Sequence, residues 1–146
     1  MCKYNGKPVI GKEFFNLLYG DQEFCAQLGR TLLAASRLES ELKLYLKAHN
    51  VPLKSKYPTL GRLNHLLKEH NLLLKMQPPL EMLVKQRNYL AHSLFDLFTV
   101  LIDETVLSRT NLLDLDVYMY IERARQLEEN INGFSDIIAK QRKAGK

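Results

Sequence analysis

The sequence predicts an all-α protein, an up-down bundle of four main helices with one irregular connection before the last. Three observations predict it. Long segments place apolar residues at steps of three and four, the period of a helix that buries one face. Capping residues and prolines punctuate those segments where helices would begin and end. No segment alternates apolar and polar residues between turn dipeptides, so strand signals are nearly absent.

The first predicted helix covers 23–48, with Phe24, Leu28, Leu32, Ala35, Leu38, Leu42 and Tyr45 as its apolar stripe. Asp21 is its expected N-cap, and Asn50-Val51-Pro52 its end, because a residue before proline is pushed out of helical geometry. Arg30, Arg37, Lys43 and Lys47 fall on its outer face. After the lysine- and proline-rich linker PLKSKYP, Thr59 caps a second helix with the stripe Leu60, Leu63, Leu66 and Leu67, running to about Leu74. Pro78-Pro79 sets the start of a third, since proline is tolerated in a first turn. Its apolar side is Leu80, Leu83, Leu90 and Leu94. Residues 99–116 read as an irregular connection, and a last helix over 117–140 carries Ile121, Ala124, Leu127, Ile131, Phe134 and Ile138.

A chain of 146 residues fits a single domain, residues 1–146 with a core over about 23–140. It is long enough to bury about two-thirds of its unfolded surface without disulfides or metals. A composition of 46% hydrophobic and 25% charged residues excludes disorder and fibrous architectures. No stretch approaches the apolar length of a membrane span, and MCKYNGKPVIGKEF lacks the apolar core of a secretory signal, so a cytoplasmic protein without membrane contact is expected. Two cysteines, Cys2 and Cys25, make no disulfide framework, and Cys25 is expected in the core.

The formal net charge is +5, and all of the surplus lies in the first half. Residues 1–73 hold 11 Lys/Arg against 6 Asp/Glu, and residues 74–146 hold 10 against 10. A cationic surface suits a polyanion such as RNA, through release of phosphate counterions. It equally serves solubility.

The run Arg87-Asn88-Tyr89-Leu90-Ala91-His92 lies in the third helix. At 100° per residue Asn88 and His92 are one turn apart, and Arg87 is about 140° from His92 with a long reach. Guanidinium, amide and imidazole can thus converge on one anionic group. That set suits cleavage of an RNA phosphodiester without metal: a histidine moves protons near neutrality, and an arginine meets the charge gathered on the phosphorane. Spacing alone favours a plainer role, in which these side chains cap carbonyls or complement the helix dipole.

RNYLAH resembles the Arg-x4–6-His motif of the HEPN superfamily, often written Arg-Asn-x-x-x-His, a family of small four-helix up-down bundles with the motif at the end of the third helix. The resemblance covers roughly 23–140, with only the motif specific. It implies a metal-independent endoribonuclease leaving 2′,3′-cyclic phosphate and 5′-hydroxyl ends, acting as a homodimer in which two motifs face each other. Arg87 and His92 would be catalytic and Asn88 an auxiliary. The partners implied are RNA and an antitoxin or regulatory protein, in settings such as toxin–antitoxin pairs or phage defence. Leu94 stands where members paired with nucleotidyltransferases often carry tyrosine, which argues against that branch. An acidic residue of the first helix faces the motif arginine in some members, a part that falls here to Glu39 or Glu41. Charges at these spacings are more often solvated surface pairs.

No metal or nucleotide cofactor is expected. His65 and His70 are five apart, not the four that stack two ligands, and His49 falls at a helix end. Tyr57, Tyr89, Phe95, Phe98, Tyr118 and Tyr120 suit base stacking, and equally core or dimer contacts. Two further functions stand beside the nuclease: a non-catalytic module binding RNA, a nucleotide or a partner protein, and a structural scaffold within a complex.

Overall fold

The computed structural model describes residues 12–92 and 114–145, and every regular element among them is helical. Five α-helices follow in order: α1 (Lys12–Gly20), α2 (Gln22–Ala48), α3 (Leu60–Glu69), α4 (Gln77–His92) and α5 (Asp114–Lys143), with a 3-10 turn at Leu74–Met76. Helix α1 was not expected from the sequence. The expected irregular connection falls mostly outside the described residues, and α5 already starts at Asp114, so the helical pattern reaches back into that stretch.

Local chemistry explains the helix ends. The Asp21 carboxylate accepts the backbone N–H of Phe24 at 2.8 Å, and the Thr59 hydroxyl accepts that of Arg62 at 3.1 Å; each satisfies an N–H that the first turn leaves free. Asn50 (φ 61°) and Asn71 (φ 56°) take the left-handed conformation just past the C-caps His49 and His70. Val51 N–H then donates to Leu46 O at 3.0 Å and Asn50 N–H to Lys47 O at 3.0 Å; Leu72 N–H donates to Leu67 O at 2.9 Å and Asn71 N–H to Lys68 O at 3.1 Å. These are two Schellman closures with asparagine in place of glycine. Asn50 therefore stops α2 before Pro52 acts, and Asn71 stops α3 at Glu69 instead of near Leu74.

Helices α2 and α5 form the main pairing. Thr31 Oγ1 lies 3.1 Å from Ala124 O, Arg37 Nη1 3.4 Å from Asn132 Oδ1, Arg37 Nη2 2.5 Å from Asp136 Oδ1, and Arg142 Nη2 3.4 Å from Glu41 Oε2. Residue numbers rise together along this series, so α2 and α5 run side by side in the same direction. A strict alternation of four helices would set its first and last members antiparallel. Helices α3 and α4 run antiparallel instead: Gly61 faces Val84, and Lys68 pairs with Glu81.

Buried side chains from all five helices join in one cluster, in which Leu38, Leu42, Leu46, Leu63, Leu67, Leu80, Ile131 and Ile138 are fully withdrawn from water. The expected stripe of α5 is buried throughout. That of α2 is shifted: Leu32 is exposed, while Gln27, Thr31 and Ala34 are buried. The two buried polar groups make this tolerable. Thr31 Oγ1 reaches Gln27 O at 2.9 Å, and Gln27 Nε2 donates to Glu128 Oε1 of α5 at 2.7 Å, so burial leaves them hydrogen-bonded. Cys25 is exposed, contrary to the expectation of a core thiol; its Sγ lies 3.4 Å from Tyr19 O, beside the last turn of α1. Among the described residues no helix is long and apolar enough to cross a membrane.

Candidate functional site

Helix α2 holds Leu38 and Leu42 in the core, both with no exposed surface. At 100° per residue, Glu39 and Glu41 flank that stripe on opposite shoulders of the helix. The two glutamates consequently meet different helices. Glu39 Oε1 lies 3.4 Å from Arg87 Nε of α4, and Glu41 Oε2 lies 3.4 Å from Arg142 Nη2 of α5. Neither glutamate is a solvated surface charge: their side chains are 18% and 17% exposed, and both arginines 25%.

Arg87 is thus held in the seam between α2 and α4. Its Nε is buried and makes no hydrogen bond, so the contact with Glu39 is coulombic and not an aligned N–H···O bond. A guanidinium braced in this way has part of its rotamer freedom removed. The same carboxylate offsets its charge. Glu41 brings no charge to Arg87, since it is engaged with Arg142, a residue of the basic last turn of α5 that sequence reasoning did not link to this helix.

Asn88 follows Arg87 on α4 and is exposed. His92 is the last residue of α4, one turn beyond Asn88; its side chain lies outside the described residues, as do those of Tyr89, Leu90 and Ala91. Leu94, Phe95 and Phe98 lie outside them entirely. No family model, curated protein or solved structure matches the chain. What the site can do is read from its own chemistry: a braced guanidinium, an exposed amide beside it, and a histidine closing the same helix.

Two of the other histidines, His65 and His49, are engaged locally. His65 Nε2 lies 2.7 Å from Glu69 Oε1 one turn along α3. His49 stacks on Tyr45 with ring centroids 4.3 Å apart, its Nδ1 3.0 Å from Tyr45 O. Among the described residues no three His, Cys, Asp or Glu side chains gather as a metal-ligand set. Of the aromatic candidates, Tyr57 is 78% exposed and Tyr118 44%, whereas Tyr120 is buried in the core at 1%.

Proposed function

We propose that the chain is a HEPN-type ribonuclease that cleaves RNA phosphodiesters without metal, built on Arg87, Asn88 and His92. In this mechanism His92 moves a proton at the 2′-hydroxyl or the leaving 5′-oxygen, the Arg87 fork stabilises the charge gathered on phosphorus, and Asn88 orients the phosphate. The products carry 2′,3′-cyclic phosphate and 5′-hydroxyl ends. The observation that supports it is the Glu39–Arg87 ion pair, which holds the motif arginine in a half-buried seam at 3.4 Å instead of leaving it a freely moving surface charge. A homodimer in which two such motifs face each other completes the proposed site.

The test is incubation of purified protein with single-stranded RNA in EDTA, with the new ends analysed by mass. Cyclic phosphate ends that disappear with Arg87→Ala and with His92→Ala support the nuclease. Cleavage that needs added metal, or that both variants retain, overturns it.

The same ion pair favours a second reading. An arginine whose charge is already offset by Glu39 also serves as an internal strut, and the domain would then bind RNA or a partner without cutting. Salt-sensitive binding with no cleavage at any RNA concentration distinguishes this module from the enzyme.

A further inference from the structure

A cleft of about 630 Å³ opens on the outer face of the second half of α2, where the loop to α3 folds back beside it. Its lining includes four lysines: Lys43 and Lys47 from α2, Lys54 and Lys56 from the loop. Leu44, 44% exposed, and the half-buried Leu53 supply an apolar floor.

The gathering of cations sets this cleft apart. Elsewhere Arg30, Arg37, Lys68, Arg87, Arg125 and Arg142 each have a carboxylate oxygen within 4.0 Å, and other cations without one among the described residues, such as Arg62, Lys75 and Lys85, stand outside the cleft. None of the four cleft lysines has an ion pair or a hydrogen bond among the described residues. Gathering four ammonium groups around one concavity, with no carboxylate in its lining, raises the local potential and carries a repulsive cost that a bound polyanion relieves.

Beside the cleft stands Tyr57, 78% exposed, with Lys56 Nζ 5.7 Å from its ring centroid. A solvent-exposed aromatic ring next to a row of cations is the pairing that single-stranded nucleic acid uses: phosphates along the cations, a base on the ring. A bilayer surface fits less well, since the lining offers Leu44 as its one exposed apolar side chain to insert. An acidic peptide would use the lysines but leave Tyr57 without a role.

We propose that this lysine cleft is a binding site for single-stranded nucleic acid, recognised through its phosphate backbone and one stacked base, and separate from the RNYLAH motif. Lys43 stands four residues after Glu39 on α2, one turn along the same helix face. A strand seated on the cleft is therefore anchored one helical turn from the Arg87–Glu39 pair. The binding site does not depend on the chain being a nuclease.

The test is fluorescence anisotropy of a labelled 12-nucleotide oligouridylate in EDTA over a range of salt. Full engagement of four phosphates gives log K against log salt a slope of about −2.8, at about 0.7 per contact. Changing Lys43, Lys47, Lys54 and Lys56 together to Gln should abolish most of that slope and weaken binding at least tenfold, while changing them to Arg retains binding. Tyr57→Ala should weaken binding about tenfold with the slope unchanged. Lys47→Gln alone, at an exposed position, should lower the slope by about 0.7 and gives a second reading if the fourfold variant misfolds. Arg125→Gln, on an exposed face of α5 where Glu122 and Glu129 already pair the arginine, should leave the slope as it is. The proposal is overturned if a folded Gln variant binds as the wild type does, if duplex RNA of equal length binds as tightly as the single strand, or if anionic phosphatidylserine vesicles out-compete the oligonucleotide.

Discussion

Glu39 of α2 and Arg87 of α4 face each other across the seam between their helices, 3.4 Å apart and both largely withdrawn from water. The pair ties the motif helix to the long central helix whose Leu38 and Leu42 lie at the centre of the core. A half-buried pair of this kind lies between exposed pairs, which contribute little, and buried ones, which are costly to break from one side. Arg87→Ala and Glu39→Ala should each destabilise by about 1 kcal/mol in urea unfolding, with a coupling of similar size in the double variant. Strictly additive effects would show that the pair is not an interaction in solution.

Under the nuclease proposal Glu39 acts through Arg87 and touches no RNA. Glu39→Gln keeps the shape of the side chain and removes the charge that braces the guanidinium. Cleavage should fall by about tenfold, mostly in kcat, with His92-dependent chemistry still measurable. A total loss equal to that of Arg87→Ala would instead give Glu39 a direct part in the reaction.

Because the proposed site is shared between two protomers, activity should depend on association. Sedimentation at micromolar concentration should show a dimer, and dilution below its dissociation constant should lower activity per chain. Full activity from a monomer contradicts a composite site.

Stability should follow the observed caps and core. Asp21→Ala removes the carboxylate that accepts the Phe24 N–H and should cost about 1 kcal/mol. Leu38→Ala leaves a cavity at a fully buried position and should cost about 2–5 kcal/mol. Cys25, exposed at the start of α2, should react with a maleimide in the folded protein, in a chain where Cys2 is replaced by Ser. Protection of Cys25 until denaturant is added would restore the core expectation.

Helix periodicity and capping chemistry made α2, α3, α4 and α5 legible in the sequence, because each buries a stripe of leucines and isoleucines at helical spacing. Two features were not legible for physical reasons. The left-handed asparagines Asn50 and Asn71 stop their helices with backbone geometry that no hydrophobic period reports. The face of α2 is set by its partner α5, which satisfies Gln27 and hydrogen-bonds near Thr31; a hydrophobic stripe alone therefore put Leu32 inside, and the general burial of free cysteine did the same for Cys25. For the site, spacing could nominate Glu39 and Glu41 together, but only their positions on either side of the Leu38–Leu42 stripe send one to Arg87 and the other to Arg142. The lysines of the α2–α3 cleft were visible singly, and only the fold-back of the loop gathers them.

The central claim rests on catalysis by RNYLAH without metal, and one ratio measures it: the single-turnover rate of RNA cleavage in EDTA by the wild-type protein over that of His92→Ala. General acid–base catalysis by the histidine predicts a ratio of about 10²–10⁴, with 2′,3′-cyclic phosphate ends on the wild-type products. A ratio near one, with both proteins folded and dimeric, contradicts it.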